Sequence, residues 1–284
     1  MKTFNITDPY KLSTPYTTIL CDLWGVVHNG NEVLEESRKF LEKVKNDGKQ
    51  IVLVSNAPRP NFVVAEQLTK KLGLNNNLYD FIVTSGDVTS SFLNTKKYGS
   101  SYYHLGPQKD KDLLSTIKLD LVKEVNFAEF VLCTGIDDDE SEEPSDYNDI
   151  LNDMLKSNLL MVCANPDKIV YRGNKKIPCA GALAQHYESI GGKVKYFGKP
   201  HVEIYEHIFS NLKNINNKLQ KKEILAIGDS LSTDILGAIN FNIDVLFIRS
   251  GIHKHEINSI NDLESTAQDY LVSLPRKLLT SEYL

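Results

Sequence analysis

The sequence predicts an α/β protein with a doubly wound, Rossmann-like parallel-sheet core and an inserted, smaller αβ domain. Three observations point there. Short apolar runs repeatedly end at Asp, Ser or Gly, with amphipathic stretches between them. These runs are continuously apolar rather than alternating, as in strands buried on both faces beneath helices. The length, 284 residues, suits one large domain or two modest ones.

Taken in order, "TTILCDL" (17–23) reads as a strand and "EVLEESRKFLEKVKNDG" as a helix, with Val33, Leu34, Phe40, Leu41 and Val44 near helical spacing and Gly48 as its stop. "QIVLVSN" (50–56) is the next strand, and "PRPNFVVAEQLTKKLG" the next helix, with Pro60 near its first turn. "DFIVTSG" (80–86) follows as a strand. The middle of the chain carries its own strands, "SSYYHLG", "EFVLCTG" and "NLLMVCANPD". The first pattern then returns. "KVKYFGKP" (193–200), "EILAIGDS" (223–230) and "IDVLFIRSG" (243–251) are strands; "HVEIYEHIFSNLKN" and "STDILGAINFN" are the helices between them. The expected division is a core of residues 1–89 and 193–284 and a cap of residues 90–192.

Hydrophobic content of 41% and charged content of 24% are ordinary for a soluble globular protein. A net charge of −5 gives no basic footprint for nucleic acid. No apolar run approaches membrane-spanning length, and "MKTFNITDPYKLSTPY" has no secretory apolar segment, so the expectation is a cytoplasmic protein without membrane or nucleic-acid partners. Cys21, Cys133, Cys163 and Cys179 are widely spaced and mostly inside apolar runs, which fits buried reduced thiols. The acidic run "IDDDESEEPSDYND" (136–149) lacks the glycine at the sixth position of an EF-hand loop and reads as a solvated loop opening into a helix at Asp146.

Four polar tips invite comparison: Asp22, Ser55, Lys199 in "YFGKP", and the acids of "GDSLSTD". Doubly wound sheets bind ligands beyond the carboxyl ends of their strands, so all four can converge on one crevice. The chemistry they would make is phosphoryl transfer to a carboxylate. Asp22 would attack phosphorus, Asp229 would join it in holding a hard cation such as Mg²⁺, and Asp234 would support that site. Lys199 would supply a fixed charge and Ser55 a hydrogen bond to the phosphoryl oxygens. Each residue also has a plain structural explanation. Asp22 can end a strand, Ser55 can cap a helix, Lys199 can be a surface lysine, and "GDSLSTD" can be a turn with Ser232 or Thr233 as an N-cap. Their order and spacing favour the joint reading.

The set "DLWGVV", "VLVSN", "YFGKP" and "IGDSLSTD" resembles the four motifs of the haloacid dehalogenase-like (HAD) hydrolases, over nearly the whole chain. About thirty residues separate Asp22 from Ser55 and more than a hundred separate Ser55 from Lys199, a layout similar to the class IIA, NagD-like branch, whose cap lies between the second and third motifs. "CANPD" (163–167) and "PCAGAL" (178–183) fit that branch as well. The resemblance implies a magnesium-dependent phosphatase of a small phosphorylated metabolite, with a homodimer as a further expectation. Asp22 matches the nucleophile, Ser55 the phosphate-binding hydroxyl, Lys199 the stabilising lysine, Asp229 a magnesium ligand and Asp234 the nearby acid.

One position departs. Where family phosphatases carry a second Asp, which protonates the leaving oxygen, this chain has Trp24, its only tryptophan. An indole only donates a hydrogen bond and has no useful titration. The backbone carbonyl that the family offers to magnesium at this position survives. The expectation is weakened monoester hydrolysis, least so for aryl or acyl phosphates; a phospho-ligand-binding protein and a dehalogenase are the alternatives. His28 is a candidate substitute acid. Asn56, Arg59, Asn165, Asp167 and Gly181 are further candidates for contact with substrate, and Ala57 replaces a polar residue often found there.

Overall fold

Strands Thr18–Asp22 and Ile224–Gly228 are buried at every residue, and Gln50–Ser55 at all but its first, which is why their sequences run continuously apolar. In this computed structural model, which describes residues 2–172, 175–257, 259–271 and 277–284, they form the centre of a seven-stranded parallel sheet. Its order from one edge is Lys2–Asn5, Lys277–Ser281, Asp244–Ile248, Ile224–Gly228, Thr18–Asp22, Gln50–Ser55 and Phe81–Thr84.

Alternate residues of one strand serve opposite faces. Leu20, Val52, Val54 and Ala226 join one apolar cluster, and Ile19, Cys21, Ile51, Leu53, Leu225 and Ile227 the other. Helix Val202–Ile215 covers the first face with Ile204, Tyr205, Ile208 and Leu212, at helical spacing. Helix Glu35–Asn46 covers the second with Phe40, Leu41 and Val44. Successive connections run outward in both directions from the adjacent pair Thr18–Asp22 and Ile224–Gly228. The topological switch point therefore lies between the tips that bear Asp22 and Asp229.

A second parallel sheet has the order Lys193–Tyr196, Leu160–Cys163, Phe130–Cys133, Ser101–Leu105 and Asp120–Val122. An antiparallel ribbon, Ile169–Arg172 with Lys175–Pro178, stands beside it. The strand at 193 corrects the sequence reading, which assigned it to the core: it pairs with Leu160–Cys163 at the edge of the second sheet, and only the residues after it enter the core. Phe197 straddles the boundary. Its N–H donates to the carbonyl of Cys163, and its own carbonyl accepts from the Ser85 hydroxyl.

Two other elements differ from expectation. The helix read from residue 232 opens as a wide turn, Leu231–Ile235, in which the Ser230 carbonyl accepts from both Asp234 and Ile235, before Leu236–Phe241 continues as α-helix. The acidic run forms a turn at Pro144–Tyr147 ahead of helix Asn148–Lys156, yet Asp139 within it is turned inward. All four cysteines are free and buried. Among the described residues no helix is long and apolar enough to cross a membrane.

Candidate active site

Asp22 ends its strand with 7% of its surface exposed, and Lys199 arrives from a loop 177 residues away to bond it. The Lys199 ammonium also donates to Asp234 Oδ1 at 2.7 Å. Asp229, at the tip of the neighbouring strand, completes a buried group in which Asp22, Asp229 and Asp234 offer carboxylate oxygens within 4.8 Å of one another. Two glycines make room for it. A Cβ on Gly25 or on Gly251 would lie 2.0 Å from Asp229 Oδ2, and Gly25 has a φ of +87° besides. The Ile252 N–H donates to that oxygen at 2.6 Å. Asp234 is folded back by the wide turn so that its Oδ2 accepts from the Ser230 N–H at 3.2 Å.

Ser55 Oγ accepts from the Ala57 N–H at 3.1 Å and keeps its own proton to donate. Asn56 builds a bridge. Its Oδ1 accepts from the Lys199 N–H at 2.7 Å, and its Nδ2 donates to the Lys199 carbonyl at 3.0 Å and to Asp167 Oδ1 at 2.8 Å. The loop holding Lys199 is thereby fixed to the tip holding Ser55.

Burial raises the Asp22 carboxyl above its ordinary range against the pull of Lys199. It also raises Asp229 well above that range, with the Asp22 and Asp234 charges adding to it. Burial opposes the charge on Lys199, but Asp22 and Asp234 together hold its pKa well above the usual value. Asp167 is pushed up to about 6 by burial, against Lys199 and the Asn56 hydrogen bond. Three buried carboxyl groups thus face one ammonium, and burial with mutual repulsion favours their protonated forms until further positive charge arrives.

These residues line a cavity of about 340 Å³ that runs from the core tips to the ribbon and includes Trp24, Arg59, Asn165 and Asp167. Asn165 Oδ1 accepts from the Asp167 N–H at 3.0 Å and so shapes that turn. Arg59 bonds Gln67 at 3.2 Å and places Nε 3.6 Å from Asp110 Oδ1, reaching from the core to the second sheet's side of the cavity. Trp24 donates its indole N–H to the Tyr171 carbonyl of the ribbon at 2.8 Å, and its ring packs on Gly30 and edge-on to His28.

Two candidates are corrected. His28 is only 4% exposed and is not in the cavity wall; its Nδ1 accepts from the Gly30 N–H, and burial pushes its pKa down to about 4. The tight turn after Asp22 folds it inward. Gly181 is also outside the wall. A Cβ there would lie 2.3 Å from the Pro166 carbonyl, so this glycine allows helix Ala180–Ser189 to pack against the 166–167 turn.

Several cavity residues carried no sequence signal. Asp110 is 2% exposed, and Asp139 lies between Lys109 and Arg172 at the ribbon. Asp110 closes a short 3-10 turn ahead of helix Lys111–Leu114 and Asp139 sits in a turn, so neither ends an apolar run. Gly251, directly after an apolar strand, had a signal: a glycine at a strand tip in this fold class marks close approach to a ligand site.

A haloacid dehalogenase-like hydrolase profile matches residues 19–120, and a HAD-hydrolase-like profile matches residues 196–273. A solved hydrolase of the haloacid dehalogenase-like family from Brucella suis 1330 is 36% identical with a TM-score of 0.84, and the match covers 96% of this chain and 97% of that one. A solved "possible sugar phosphatase" from Cytophaga hutchinsonii shares the fold with a TM-score of 0.80 at 21% identity, over 99% of both chains. NagD from E. coli K-12 shares it with a TM-score of 0.67 at 22% identity, over 94% of this chain and 97% of its own. An acid sugar phosphatase of Staphylococcus epidermidis is 23% identical over 242 residues, 85% of this chain and 89% of its own. By these matches, with a doubly wound core carrying the four motif tips in one crevice, the chain belongs to the haloacid dehalogenase-like hydrolase family.

Proposed function

We propose that the protein is a magnesium-dependent phosphatase of a small phosphorylated metabolite, acting through an aspartyl-phosphate on Asp22. The observation that carries this reading is the meeting of Asp22, Lys199, Asp229 and Asp234 at the switch point of the sheet. Relatives named as sugar phosphatases and a p-nitrophenyl phosphatase support hydrolysis of a small phosphate ester as the reaction.

The donor set fits Mg²⁺. Its ligand atoms are hard carboxylate oxygens, and the glycine cradle leaves Asp229 without a side chain crowding it. Asp22 and Asp229 would hold the ion, with the Trp24 backbone carbonyl completing the family's set and Asp234 supporting it. When bound, the ion supplies positive charge to the phosphoryl oxygens.

The remaining work falls to the chain. Asp22 presents a carboxylate oxygen to phosphorus. Lys199, already fixed beside it, neutralises charge on the transferring group without reorganisation. Ser55 donates its free proton to a phosphoryl oxygen, and Asn56 keeps the lysine loop in register. The second sheet and ribbon cover the cavity and keep bulk water from it.

Phosphate release from a panel of phosphomonoesters, with Mg²⁺ and with EDTA, tests the reading. Wild type turns over with Mg²⁺, and Asp22→Asn is inert. Because Trp24 occupies the position of the usual acid, a phospho-ligand-binding protein is the second reading. It prevails if wild type and Asp22→Asn are equally inert while both still bind a phosphate mimic such as vanadate.

A further inference from the structure

Hydrolysis of an alkyl phosphate needs a proton delivered to the departing oxygen, and the side chain two residues after Asp22 has none to give. The side chain at position 24 is an indole whose only proton is committed to the Tyr171 carbonyl at 2.8 Å. His28 is buried outside the cavity wall. Asp167 also lines the cavity, and its Oδ1 already accepts from Asn56, the residue that fixes the Lys199 loop. The indole bond also draws the ribbon against Trp24. Ribbon residues Ile169, Val170, Ile177 and Pro178 line the same cavity and give it apolar surface, with Tyr171 and Arg172 of that ribbon also in the wall.

We infer that this enzyme acts on phosphate esters and anhydrides whose leaving group departs as a stable anion, that is aryl, enol or acyl phosphates, and that Trp24 is the residue that sets this preference. The inference rests on the phosphatase reading above. Asp22 forms its bond to phosphorus as the bond to the leaving oxygen breaks, and the electron pair leaves with that oxygen as a phenolate, enolate or carboxylate. No protein proton is required. Water then attacks the phosphorus of the aspartyl-phosphate, the bond to Asp22 reverts to the carboxylate, and the proton released by the water balances the departed anion. The indole contributes a flat apolar face for the leaving group and the clasp that holds the ribbon over it.

The test is kcat/KM, which reports the steps through the first phosphoryl transfer, for three substrates: 4-nitrophenyl phosphate, phenyl phosphate, whose leaving group resembles the tyrosine phenol with a pKa of about 10, and glucose 6-phosphate. A positioned acid is worth about 10²–10⁴-fold, so wild type is expected to lose at least ~100-fold from the first substrate to the last. Trp24→Asp narrows that gap, and Trp24→Phe, which keeps a ring without the donor, leaves it wide while raising KM. A gap of less than tenfold in wild type overturns the inference. So does a wild-type activity on glucose 6-phosphate that Asp167→Asn removes selectively, because Asp167 would then be the acid. Failure of the phosphatase reading looks different: no substrate of the three is turned over more slowly by Asp22→Asn than by wild type.

Discussion

Replacing Asp229 by Asn removes one of three carboxylates whose oxygens lie within 4.8 Å of one another. At that separation each like-charge pair costs about 3 kcal/mol with an effective dielectric constant near ~20. Lys199 bonds Asp22 and Asp234, so Asp229 carries its repulsion with little beyond the Ile252 N–H to offset it. Protonation limits the cost. A carboxyl that ionises near 3.8 when unfolded, and well above that when folded, destabilises the fold by at most about 4 kcal/mol at pH 7. The sign follows from the raised folded pKa. The penalty is absent below the unfolded pKa and grows as pH rises through the window above it. Asn keeps an oxygen for the Ile252 N–H, so Asp229→Asn is expected to be more stable than wild type by about 2–4 kcal/mol in EDTA at pH 7 and nearly equal to it near pH 4. With an unfolding entropy of about 2.1 cal/mol/K per residue, this is a rise in Tm of about 5 °C. Mg²⁺ at a hundredfold excess over its Kd then adds about 2.7 kcal/mol to wild type and little to the variant. Thermal melts from pH 4.5 to 8, with EDTA and with Mg²⁺, measure all of this. A variant less stable than wild type in EDTA at pH 7, or equal gains from Mg²⁺ in both proteins, would refute the account.

Two other perturbations test neighbouring parts of the structure. Gly25→Ala places a Cβ where Asp229 Oδ2 stands and requires a φ of +87° that alanine disfavours; the expected result is a more than ~10-fold rise in the Mg²⁺ Kd by titration calorimetry, from the displaced carboxylate. His104 is held at a pKa of about 4 by burial and shares a hydrogen bond with Thr134. Its folded pKa is depressed, so stability present above pH 6.5 declines as pH falls toward 4. With screening by partial exposure the loss is about 2 kcal/mol, and denaturant melts of His104→Gln should be flatter across that window than those of wild type.

The polar strand tips were legible because each ends or follows a strand buried on both faces, so that a polar residue ending an apolar run stands out. Asp22, Ser55 and Asp229 all have that form. The strand at 193 was misassigned for a related reason. Its apolar residues and Lys199 fall in one short stretch, and sequence alone does not say that the strand pairs in one sheet while the lysine serves the other. The edge strand Lys2–Asn5 and its neighbour Lys277–Ser281 lack a long apolar run, so no strand was read there. Asp110 and Asp139 depend on tertiary burial with no local pattern, and the partner of Trp24 lies 147 residues away.

The crossing at Phe197 has a mechanical consequence. Its N–H belongs to one sheet's edge, its carbonyl to a hydroxyl of the other layer, and the Lys199 ammonium that bonds Asp22 sits two residues downstream. An extended chain reaches only about 3.5 Å per residue, so there is almost no slack between the second sheet and the ammonium beside Asp22. Any movement of the second sheet against the core would therefore turn the chain at Gly198, whose φ of +110° favours glycine. The angle of the roof and the aim of the lysine are in this way geared together.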